Sequence, residues 1–65
     1  MLITSGDVNE FLKIARKMAI DNRFDIWEVG KAAGYDQEVT HAISDRLDDM
    51  GKTRSTNTSG GAILL

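Results

Sequence analysis

The chain has 65 residues, of which 42% are hydrophobic and 28% charged, with a formal net charge of −2. One domain near the lower limit for a self-sufficient core is all that this length allows, so nearly every apolar residue must be used in packing. With no cysteine and one histidine, disulfides, thiolate metal sites and a histidine-built zinc site are excluded, and no cofactor is expected. No charged leader precedes an apolar run, and no stretch approaches the ~18 apolar residues of a membrane span, so the expectation is a cytoplasmic protein.

Met1-Leu2-Ile3 is too short to classify by periodicity and reads as a short strand or a flap over the core. Asp7 with Glu10 three positions on has the form of a helix-starting box. Val8, Phe11, Leu12, Ala15, Met18 and Ala19 then recur at three- and four-residue steps, which predicts one apolar stripe on a helix from about Val8 to Ile20. Asp21-Asn22-Arg23 is turn-prone. A second start signal, Asp25 with Glu28, opens a short helix over Ile26 to Ala33, stopped by Gly34 in a left-handed turn. Gly30 inside that helix costs about 1 kcal/mol relative to alanine, and only a close neighbour would justify it.

Asp36 is the expected cap of a third helix running to about Met50, with Val39, Ile43, Leu47 and Met50 as its core stripe. Gly51 ends it. Lys52-Thr53-Arg54-Ser55-Thr56 reads as a polar strand, Asn57 to Gly61 as turn residues, and Ala62-Ile63-Leu64-Leu65 as a short apolar strand, so residues 52–65 have the layout of a hairpin. The apolar triplets at the two ends are expected to share one core or one interface. Phe11 and Phe24 are core candidates, and Trp27 is expected to pack rather than stack on a ligand.

Charge is unevenly spread. Residues 36–50 carry Asp36, Glu38, Asp45, Asp48 and Asp49 against Arg46 alone, whereas residues 51–65 carry only Lys52 and Arg54. Residues 1–20 and 21–35 are nearly balanced, at +1 and −1.

The order of elements acquires meaning from its spacing. Val29-Gly30, Gly34-Tyr35, Thr40, Ile43, Leu47 and Gly51 together resemble the helix-turn-helix pattern of the winged-helix DNA-binding family, over roughly residues 7–65. Two helices crossing steeply through a tight turn need a tiny residue where they touch, and Gly30 stands there. The resemblance implies an α+β, mainly α fold: three helices followed by a two-stranded wing. Thr40 stands where the family usually has an aliphatic residue, and so does Lys52 after Gly51.

It also implies sequence-specific binding of double-stranded DNA by a small transcriptional regulator, working as a dimer, with the third helix in the major groove. On that reading Gln37, Thr40, His41 and Ser44 contact bases, while Lys31, Lys52, Arg54, Asn57, Lys13, Arg16 and Lys17 hold the phosphate backbone. The alternative is a winged helix used for protein contacts, with Asp45, Asp48 and Asp49 meeting a basic partner. His41 is more readily a solvated helix residue than a base reader. No lysine or second histidine completes a catalytic set with these aspartates, and no phosphate loop or nucleophile with a partner base is present, so an enzyme is not expected.

Overall fold

The computed structural model describes residues 3–56 and 59–65. In chain order it contains α1 (Ser5–Met18), β1 (Arg23–Asp25), α2 (Ile26–Ala33), α3 (Gln37–Asp49), β2 (Thr53–Ser55) and β3 (Gly61–Leu64). The layout is α+β and mainly helical, three helices against a small antiparallel sheet, as a winged helix has. No helix among the described residues is long and apolar enough to cross a membrane.

Helix α1 starts three residues earlier than the sequence predicts. Its cap is Thr4, not Asp7: the Asp7 N–H donates to Thr4 Oγ1 and the Thr4 N–H donates to Asp7 Oδ2, both at 3.1 Å. This reciprocal box satisfies two of the free N–H groups at the helix start. Its core stripe is Val8, Phe11, Leu12 and Ala15; Met18, expected on that stripe, is exposed, and the helix ends there rather than at Ile20. Asp21 and Asn22 then take left-handed backbone angles, with φ of 54° and 66°, between Ile20 and Arg23, which exchange both backbone hydrogen bonds. Two successive left-handed residues make the tight turn that matches strand twist, and Asp and Asn tolerate that region best after glycine.

That turn creates the strand missing from the sequence reading. The sheet has three strands, not two, in the order β1-β3-β2, with Arg23, Phe24 and Asp25 opposite Ile63, Ala62 and Gly61. On the other side of β3, Thr53, Arg54 and Ser55 lie opposite Leu64, Ile63 and Ala62. Phe24, Ala62 and Thr53 are buried beneath the sheet, where Phe24 meets Phe11 edge to face at 6.5 Å. Ile3 and Leu64 both pack on this core, as the shared-core expectation requires, although Leu65 is exposed; Met1 and Leu2 lie outside the described residues.

Helices α2 and α3 start and turn as expected. Asp25 Oδ1 accepts from the Trp27 N–H at 2.8 Å, Asp36 Oδ1 accepts from the Val39 N–H at 2.9 Å, and Gly34 closes α2 with φ of 84°. Gly30 meets the neighbour it needs: a Cβ placed on it would lie 2.0 Å from Thr40 Oγ1. After the turn Tyr35 is half-buried, and its hydroxyl donates to Asp7 Oδ1 at 3.2 Å, tying the helix-turn-helix to the start of α1. Burial, followed by the hydrogen bond to Asp7, raises the Tyr35 phenol above its usual pKa.

The same knot gives a pH prediction. The Thr4 backbone N–H first, then the Thr4 hydroxyl, hold the Asp7 carboxyl below its ordinary value of 3.8. A carboxyl that ionises more readily when folded contributes stability that is complete above pH 3.8 and fades as the pH falls below it. Urea midpoints of the wild type and Asp7→Asn should therefore differ at neutral pH and converge in acid; a gap that is constant with pH would refute the assignment.

Candidate functional site

Two surfaces stand out, and α3 supplies the first. At about 100° per residue, its buried side holds Thr40, Ile43, Ser44 and Leu47. This corrects the expected stripe by about one residue: Val39 is only half-buried and Met50 exposed, while two hydroxyl residues point inward. The cause is local. The bare backbone of Gly30 leaves room that the Thr40 side chain fills, and Ser44 is turned toward Trp27 and the start of β3.

Thr40 and Ser44, expected to contact bases, are thus buried, 2% and 6% exposed, and reach the surface only at the floor of the grooves beside Gln37 and His41. Gln37 and His41 are exposed on the first two turns, as expected. Opposite the core, Glu38, Ala42, Asp45 and Asp49 lie within about 60° of one another, a ridge with three carboxylates, all on exposed residues. Among the described residues His41 Nδ1 lies 3.4 Å from Asp45 Oδ2, with both side chains 65% exposed. Glu38 and Asp49 carry no such partner there.

Asp48 does not belong to the ridge. Its Oδ1 accepts from the Thr53 hydroxyl and its Oδ2 from the Ser55 hydroxyl, each at 2.7 Å, so both oxygens are spent on holding β2 against α3. A second tie fixes the other strand. The Gly60 carbonyl accepts from the Ile26 N–H at 2.8 Å, and Gly60, with φ of 80°, lies against the Trp27 indole, where a Cβ would come within 2.5 Å of the ring. The indole in turn stacks on His41, 6.5 Å between centroids and 16° between planes. A shallow groove of about 220 Å³ between α3 and β3 is lined in part by Trp27, His41, Asp45 and Ser55.

The second surface is the outer side of the sheet. Residues paired across antiparallel strands point to the same side, so the register sets Arg23, Ile63 and Arg54 in one row across β1, β3 and β2. Both arginines are exposed and Ile63 is half-buried. One step beyond the last pair, the Lys52 carbonyl accepts from the Leu65 N–H at 3.0 Å, which places Lys52 and Leu65 two residues along on that same side. Ile20, bridged to Arg23, completes it; Ile20 and Leu65 are 77% and 73% exposed.

Of the expected backbone contacts, Lys52 and Arg54 are therefore on this outer face, Lys31 is exposed on α2 near Gln37, and Lys13, Arg16 and Lys17 share the solvent side of α1. Asn57 lies outside the described residues. Sequence reasoning missed Arg23 and Ile20, which it assigned to a turn and a helix end. The signal was the alternation of Arg23-Phe24-Asp25, three residues long and invisible to a periodicity test. Comparison with protein-family models, with curated proteins and with solved structures returns no match to this chain.

Proposed function

We propose that this domain is a protein-docking winged helix whose α3 presents Glu38, Asp45 and Asp49 to a basic surface. The observation that carries the reading is that the outermost ridge of α3, the part a major groove would receive, carries only carboxylates among its charged groups. Two like charges ~6 Å apart repel by about 0.7 kcal/mol in water and by several-fold more where water is excluded. Three carboxylates facing the phosphates on both walls of a groove therefore oppose insertion by several kcal/mol. Duplex affinity rests on cations set against phosphates, and α3 offers Arg46 alone. Against a basic protein surface the same ridge speeds encounter and sets register.

Duplex DNA is the second reading, favoured by the exposure of Gln37 and His41 on the first two turns of α3 with Lys31 nearby. On that reading Gln37 and His41 contact base edges, and Lys31, Lys52 and Arg54 contact phosphates. Amide chemical shifts separate the two. A lysine-rich peptide should move the resonances of Glu38, His41, Asp45 and Asp49, and Glu38→Gln/Asp45→Asn/Asp49→Asn should abolish the response. A random-sequence duplex at low salt should leave α3 unmoved. Shifts at Gln37, His41 and the wing on adding duplex, with no response to the peptide, would overturn the protein reading in favour of DNA.

A further inference from the structure

We infer that the outer face of the sheet is a docking site for α3 of a second copy of this chain, so that copies join head to tail. The inference rests on reading α3 as a protein-docking ridge, and it names the partner.

The outer face combines three cations, Arg23, Arg54 and Lys52, with three aliphatic side chains, Ile20, Ile63 and Leu65, and one carboxylate, Asp25, whose Oδ1 is held by the Trp27 and Glu28 N–H groups, so its net charge is positive. A sheet face facing only water has no need of the aliphatic half; one that meets a partner does. The charge of that partner must be negative, and the ridge of α3 carries it.

The spacing agrees as well. Arg23 and Arg54 flank β3, so they stand two strand separations apart, about 9.5 Å. Glu38 and Asp45 are seven residues apart on one helix face, about 10.5 Å along the axis. Between the arginines sits Ile63, and between the carboxylates sits Ala42, whose small side chain lets a helix approach a sheet closely. An α3 laid across the strands thus sets carboxylate on arginine at both ends and methyl on isoleucine in the middle. Asp49, one turn further, lies beyond that row.

The two surfaces are different parts of one molecule, so the contact is heterologous. Each copy added leaves a free ridge at one end and a free sheet face at the other, and growth continues unless the rotation closes a ring. The affinity is modest. A stable interface takes ~800 Å² from each partner, about a fifth of the 4388 Å² this domain exposes. With opposite charges at its rim, the assembly weakens with added salt.

Sedimentation velocity over a concentration series tests this with two variants altered only at exposed residues. Arg23→Gln/Arg54→Gln removes the sheet face and Glu38→Gln/Asp45→Asn removes the ridge; each alone should self-associate at least ~10-fold more weakly than the wild type. Mixed in equal amounts, they should form a dimer that grows no further, because one intact ridge meets one intact sheet face. A wild type that stays monomeric, a sheet-face variant that associates as the wild type does, or a mixture that stays monomeric would overturn the inference. The lysine-rich peptide separates this failure from failure of the docking reading. Retained peptide binding by the sheet-face variant alongside any of those outcomes removes self-docking alone, and loss of peptide binding by the wild type removes both.

Discussion

Gly30→Ala should destabilise the domain by about 2 kcal/mol, lowering its thermal midpoint by ~10 °C. In most exposed helices the same change is favourable by up to ~1 kcal/mol. Here the new methyl would lie 2.0 Å from Thr40 Oγ1, 2.7 Å from Cγ2 and 2.9 Å from Cβ. Rotating the threonine moves the first two atoms but leaves Cβ in place, so α2 and α3 must separate. Such overpacking costs typically ~1–3 kcal/mol, three contacts this short place it near the top of that range, and the helix propensity gained offsets up to ~1 kcal/mol of it, leaving about 2 kcal/mol net. Gly30→Ala/Thr40→Ala should recover part of the loss, since the Oγ1 and Cγ2 contacts disappear and the Cβ contact persists. Strong non-additivity of the two substitutions in urea melts is the signature of a shared contact. An unchanged or higher midpoint for Gly30→Ala alone would show that the helices do not cross at this point.

Phe11→Ala should leave the chain largely unfolded at 25 °C. Phe11 is fully buried and meets Phe24 edge to face at 6.5 Å and 66°, joining α1 to the underside of the sheet. Truncating a buried phenylalanine costs about 3–5 kcal/mol, and a core in a domain this small rarely supplies more than ~3–5 kcal/mol in total. Collapse of amide dispersion and loss of near-ultraviolet circular dichroism would report the unfolding. Phe11→Leu, which keeps most of the volume, should cost about 1 kcal/mol and remain folded. A well-dispersed spectrum for Phe11→Ala would place the centre of the core elsewhere.

The helix-turn-helix was legible because each of its signals is local. Asp25, Gly34 and Asp36 cap or close a helix by hydrogen bonds and backbone angles within three residues of themselves. At the start of α1 two overlapping boxes, Thr4 with Asp7 and Asp7 with Glu10, satisfy the same pattern. What selects the first is tertiary, since Ile3 packs on the core just ahead of Thr4 and Tyr35 holds Asp7. The burial of Thr40 and Ser44 was hidden for a similar reason. Hydropathy favours Val39 and Met50 for the core, but the space under α3 is set by Gly30 and Trp27, which lie on another helix.

The two surfaces differ in the same respect. The carboxylates of α3 are visible as composition, although only the structure removes Asp48 from the ridge by giving both its oxygens to β2. The row Arg23-Ile63-Arg54 depends on the register of three strands, two of them three residues long. No local signal specifies a register set by a left-handed turn on one side and a longer connection on the other.

The position of Trp27 has a practical consequence. It is the chain's one tryptophan, and its indole touches Gly60 and stacks on His41 of α3. Fluorescence excited at the indole therefore comes from a single ring in contact with both Gly60 and α3. A partner seated on α3 and a wing lifted from its place alter that ring's surroundings in different ways, so emission wavelength and quencher access follow both events without a label.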